Sequence, residues 1–142
     1  MSESSSLRVA IVGCGTHGAQ CAALLEDARL VVACDRDPRR AAALAAKGHA
    51  CFATNDLEEA LSFLPHAVVV ATPLQTVQVI VEAALRAGAH VFLDPYPEPK
   101  NGDLDPLLTL ANATKRLLTV RSKDLESAMV AFLRKLRDYL AR

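Results

Sequence analysis

Sixteen basic and sixteen acidic side chains cancel across 142 residues, so no charge bias points to nucleic acid or to a membrane surface. The length suffices for one domain with a real core, and no apolar run approaches the ~20 residues of a membrane span. The opening MSESSS lacks the basic start and apolar centre of a secretion signal, so residues 1–6 read as a disordered tail on a soluble, cytoplasmic protein.

Leu7–Val12 is a short apolar run that reads as a buried strand. Gly13, Cys14, Gly15, Thr16, His17 and Gly18 follow in the spacing G-x-G-x-x-G, and a helix is expected over Ala19–Ala28. Leu30–Asp35 is a second strand ending in an acid, about 20 residues after the glycines. In that context each glycine has a task. Gly13 permits the turn, Gly15 leaves room for a pyrophosphate, and Gly18 lets the helix lie close on the sheet. The helix N–H groups and its positive end would face the phosphates, and Asp35 would accept from a ribose. Packing glycines in an ordinary strand-turn-helix are the plainer reading.

Asp37-Pro38 reads as a helix cap with proline in the first turn, and Gly48 ends that helix. His49–Ala53 is a third strand. A helix entered near Thr54-Asn55 carries Asp56, Glu58 and Glu59 at its positive end and is closed by Pro65. Ala67–Ala71 is wholly apolar, as in a parallel sheet covered on both faces. Thr72-Pro73 leads to a helix from about Thr76 to Ala87, stopped by Gly88. His90–Leu93 is the fifth strand, and Pro95, Pro97 and Pro99 make residues 94–103 a stiff loop. A helix around Pro106–Thr114 and a strand Leu117–Val120 complete a domain over residues 7–121. Residues 122–142 form an amphipathic helix whose Leu125, Met129, Phe132, Leu133, Leu136 and Leu140 make one apolar stripe.

Alternating strands and helices give an α/β fold, a doubly wound parallel sheet of three layers with the Rossmann strand order 3-2-1-4-5-6. A dinucleotide would lie across the C-terminal strand ends, against Gly13–Gly18, Asp35, Arg36, Ala71, Thr72, Pro73 and Asp94. Asp35 favours NAD by holding the ribose diol and repelling a 2′-phosphate, while Arg36 leaves NADP open. A CoA-binding protein of this size is a further reading, against which Asp35 argues. No metal spacing is present. Cys14, Cys21, Cys34 and Cys51 read as buried, reduced thiols, with a Cys14–Cys34 redox pair the lesser alternative. His49, His66 and His90 precede strands and read as polar edge groups.

VAIVGCGTHG, VVACDRDPRRAAALAAKG, VVVATP and ALRAGAHVFLDPYP, in that order, resemble the N-terminal half of the Gfo/Idh/MocA oxidoreductases. The resemblance spans about Leu7 to Val120. It implies an NAD(P)-binding Rossmann half, normally followed by an α/β substrate half that supplies a catalytic histidine. The chain departs from the family where the chemistry lies. The family's T-P-N-x-x-H is Thr72, Pro73, Leu74, Gln75, Thr76 and Val77 here, and the lysine of its E-K-P becomes Pro95 after Asp94. Tyr96 is the one nearby proton-transfer candidate, and Lys100 reaches the cleft only by an unusual path. The expectation is cofactor binding without dehydrogenase turnover by the chain alone, or an oxidoreductase completed by self-association or a substrate-binding partner. Where relatives have their second domain, the apolar stripe of the last helix is free either to pack on its own sheet or to pair with a second copy. A homodimer with Phe132 and Leu136 near its centre is the expectation taken.

Overall fold

A computed structural model describes residues 7–48, 51–94, 102–121 and 124–141. Six parallel strands form one sheet: β1 (Arg8–Val12), β2 (Arg29–Cys34), β3 (Phe52–Thr54), β4 (Ala67–Val70), β5 (His90–Leu93) and β6 (Leu118–Val120). Their order is β3-β2-β1-β4-β5-β6, as the glycine fingerprint and right-handed crossovers require. Side chains alternate across the pleat. Val9, Ile11, Val69 and Phe92 enter one core layer, and Ala10, Val12, Val68, Val70 and Leu93 enter the other.

Six helices cover the two faces: α1 (Thr16–Ala22), α2 (Pro38–Lys47), α3 (Leu57–Leu61), α4 (Leu74–Arg86), α5 (Asp105–Thr114) and α6 (Leu125–Leu140). The first face takes α1, α2 and α6 through Cys21, Leu44, Met129 and Phe132. The second takes α3, α4 and α5 through Ala60, Val81, Leu85 and Leu107. Asp37, Asp56 and Asp124 cap α2, α3 and α6, their carboxylates accepting from Arg39, Glu58 and Ser127 N–H.

Three expectations are corrected. Helix α1 ends at Ala22 rather than Ala28: i→i+3 bonds tighten the chain after Cys21, Glu26 turns left-handed at φ 55, and Leu25 drops into the core. The short β3 runs from Phe52 to Thr54, so the next helix is entered one residue later than expected, at its cap Asp56; His49 lies outside the described residues. The third concerns α6. Its Met129, Phe132, Leu133 and Leu136 are at most 1% exposed within a single chain. Phe132 meets Phe92 of β5 edge-to-face at 5.5 Å. These four are therefore core, while Leu140 at the stripe's end is 42% exposed, and Phe132 and Leu136 cannot centre an interface between two copies.

Candidate functional site

The backbone ladder brings the residue that follows each of five strands into a row. Gly13 N–H donates to Cys34 O, Asp35 N–H to Thr54 O, Ala71 N–H to Val12 O, Asp94 N–H to Val70 O, and Arg121 N–H to Leu93 O. Asp35, Gly13, Ala71, Asp94 and Arg121 thus follow one another along the C-terminal edge of the sheet. A cleft of about 770 Å³ opens over the β2, β1 and β4 part of this row.

The glycine turn is built around contact. Gly13 has φ +99, and a Cβ there would lie 2.3 Å from Ala71 O. A Cβ on Gly18 would lie 1.8 Å from Gly13 O, so α1 can seat this closely only on a glycine. Gly15 differs: a Cβ there would meet nothing within 4 Å, because the position faces the cleft. Gly15 also caps α1 without a side-chain hydrogen bond, which leaves the positive end of the helix uncapped on the cleft side.

Asp35 ties the turn to the next strand. One oxygen accepts from Cys14 N–H at 2.7 Å and the other from Asp37 N–H at 2.8 Å. A carboxylate has about four acceptor positions, so two remain for a ligand. Beside it, Arg36 and Arg40 line the cleft, as do Ala71, Thr72 and Pro73 across the floor. Thr72 Oγ1 is buried with no hydrogen-bond partner among the described residues. An open position at Gly15 and an orphaned hydroxyl at Thr72 are what a polar ligand in this cleft would fill and satisfy, so the residues present fit a dinucleotide.

Other expected site residues sit elsewhere. The Cys14 side chain turns inward, its thiol donating to Cys34 O at 3.3 Å. Burial and the nearby Asp35 push that thiol up to about 12, and burial likewise pushes Cys34 up to about 11. Burial and the shift toward the protonated thiol argue against a Cys14–Cys34 redox pair. Thr16 and His17 contribute the first turn of α1 directly after the cleft residue Gly15, and their side chains do not line the cleft. Asp94 is 1% exposed and also stands back from it. Its oxygens lie 2.7 Å from Arg121 Nε and 3.5 Å from His17 Nδ1, and the Cys21 thiol donates to it at 3.7 Å. A buried carboxylate needs such pairing. Asp94 therefore ties α1 to the end of β6. Tyr96, Pro95 and Lys100 lie outside the described residues. Val77, at the family's histidine position, is a core residue of α4.

The cleft wall also contains residues that the sequence reading missed, notably Leu57, Val79 and Ile80. Val79 is 70% exposed and lies off the buried face of α4, on the side that lines the cleft. An apolar residue off the α4 stripe was the available signal.

Comparison with known proteins follows the same lines. Residues 7–122 match the family described as "Oxidoreductase family, NAD-binding Rossmann fold", the Gfo/Idh/MocA family. No curated protein matches significantly. Among solved structures, GenD2 from gentamicin A biosynthesis, in complex with NAD, is 30% identical with a TM-score of 0.74, covering 81% of this chain and 34% of its own. UDP-N-acetylglucosamine 3-dehydrogenase GnnA from Acidithiobacillus ferrooxidans is 25% identical with a TM-score of 0.72, covering 81% and 38%. An NAD-binding oxidoreductase from Klebsiella pneumoniae, at 21% identity and a TM-score of 0.72 over 82% and 34%, shares the fold. The chain spans a little over a third of the length of these proteins. With the six-stranded order, the glycine turn and the acid at the end of β2 all in place, the chain belongs to the Gfo/Idh/MocA oxidoreductase family and carries its NAD-binding Rossmann domain.

Proposed function

We propose that the cleft binds NAD(H) and that the chain alone performs no dehydrogenase turnover. The observation that carries the binding half is Gly15, open to the cleft at the uncapped positive end of α1. On this reading the amides of Gly15, Thr16, His17 and Gly18 hold the pyrophosphate, and Gly13 and Cys14 contribute backbone. Asp35 takes the adenosine ribose. Leu57, Val79 and Ile80 give the adenine an apolar wall. Ala71, Thr72 and Pro73 guide the nicotinamide half toward the β4 and β5 ends, with Asp94 fixing α1 from behind. When bound, NAD supplies the hydride-accepting ring.

Among the described residues, none is placed to touch substrate and move its proton. Val77 is packed away in α4, and Asp94 is already paired with Arg121. The substrate half would come from a further domain, a partner subunit or a second copy meeting the chain on some face other than the α6 stripe. Its four cysteines are free, in keeping with a reducing cytoplasm. Asp35 favours NAD, and Arg36 with Arg40 on the same wall leaves NADP a weaker ligand. Titration of NADH, NADPH and CoA into the pure protein tests the binding half: NADH should bind most tightly. CoA binding above NADH would overturn it. Substrate-dependent NADH formation from sugars or polyols by the chain alone would overturn the second half.

A further inference from the structure

The other end of the sheet carries a feature unrelated to the cofactor cleft. Where β4 and β5 begin, a cavity of about 210 Å³ lies between the sheet edge and the end of α6. Its polar lining is His66, His90, Arg116 and Tyr139, and no carboxylate side chain lines it.

Both imidazoles are fixed in one tautomer by the backbone. His66 Nδ1 accepts from Arg8 N–H at 3.0 Å, the first residue of β1. His90 Nδ1 accepts from Leu117 N–H at 2.9 Å, just before β6. A nitrogen that accepts carries no hydrogen, so each neutral ring bears its proton on Nε2. Neither Nε2 has a partner among the described residues, and neither is sealed from solvent. Both rings are held neutral, His90 down to about 4 by burial and by Arg116, and His66 lowered by burial and by Arg8.

The guanidinium adds a charge. Arg116 Nε donates to Gly88 O at 2.8 Å and Nη1 to Lys115 O at 3.0 Å, which fixes the plane and leaves Nη2 unbonded among the described residues. Arg8 Nη2 donates to Leu64 O at 2.6 Å nearby. These bonds answer carbonyls at helix ends that would otherwise favour a cation. What remains is a cavity with N–H donors and a fixed positive charge.

We propose that this cavity is a second ligand site, taking the oxyanion group, carboxylate or phosphate, of a small molecule on His66 Nε2, His90 Nε2 and Arg116 Nη2. Two Nε2–H donors and a guanidinium, with no carboxylate side chain in the lining, disfavour a cation and suit an acceptor with several lone pairs. The volume equals roughly seven liquid waters, enough for phosphate or a small organic acid. Arg116 is anchored at both Nε and Nη1, so its charge is placed before the ligand arrives.

The test is a ¹H–¹⁵N NMR titration of the whole chain near neutral pH at constant ionic strength. Inorganic phosphate and acetate are added separately. The expected result is saturable shifts centred on His66, Gly88, His90 and Arg116 with at least one of them. Phosphate alone identifies a phosphate group as the source of recognition, and acetate alone a carboxylate. Arg116→Gln should weaken binding at least about tenfold through loss of a charge-assisted bond. His66→Asn keeps an acceptor for Arg8 N–H and removes the Nε2 donor, so it should weaken binding by about threefold or more. A well-dispersed spectrum shows that each variant is folded, and the His66→Asn comparison decides the matter if Arg116→Gln is not. Linear, unsaturable shifts with both anions would overturn the proposal. So would undiminished binding by the folded variants.

Discussion

Acid should loosen this fold through His90, and the size of the effect can be worked out. His90 is 3% exposed, its Nδ1 holds Leu117 N–H, and its ring meets Tyr139 edge-to-face at 4.7 Å. Its folded pKa is lowered from 6.5 to about 4. The unfolded chain therefore takes up a proton before the folded chain does. Stability is fully present above pH 6.5 and falls as pH drops toward 4, by about 1.4 kcal/mol per pH unit from this one group. The loss is about 2 kcal/mol at pH 5 and about 3 kcal/mol below pH 4. Urea unfolding at a series of pH values measures it, and His90→Asn isolates it. The asparagine carbonyl can still accept from Leu117 N–H but does not titrate. The variant should start less stable, from lost packing on Tyr139, and then lose about 2 kcal/mol less than the parent between neutral pH and pH 5. Parallel stability curves for parent and variant would refute the reasoning.

Three further outcomes follow from named contacts. Phe132→Ala should cost about 3–5 kcal/mol in denaturant unfolding, because the ring is buried against Phe92; a cost under about 1 kcal/mol would return the α6 stripe to the surface. Asp35→Ala should weaken NADH binding by about 1.5–3 kcal/mol, and Asp35→Asn by less, since it keeps one acceptor for Cys14 or Asp37 N–H. Unchanged calorimetric affinity in both would remove Asp35 from the site. Arg36→Ala with Arg40→Ala should lower NADPH affinity more than NADH affinity in the same assay, and equal losses would mean that neither arginine meets a 2′-phosphate.

Much of this architecture was legible because its signals are local. The glycine spacing, the apolar runs and the acid after Leu30–Cys34 lie within one βαβ unit, and they fix the strand order and one end of the cleft. The α6 pattern was also visible, but periodicity says only that one face is buried. What covers it is decided by Phe92, a residue distant in sequence. Asp94 follows β5 at the C-terminal edge of the sheet, and its inward pairing is invisible in the sequence. Its partner Arg121 is 27 residues away, and only the β5–β6 register brings them together. The histidines before β4 and β5 looked like edge groups. Their shared task, each accepting an N–H from a neighbouring strand's start, follows from the sheet order rather than from any motif.

Gly15 offers the most direct test of the central claim. Its missing Cβ opens onto the cleft without touching protein, so a side chain there should leave the fold intact and fill only ligand space. NADH titration into the parent and Gly15→Val, with thermal unfolding of each alongside, separates the two effects. The free variant should unfold much as the parent does and should lose most NADH affinity. A folded Gly15→Val that binds NADH as tightly as the parent would contradict it.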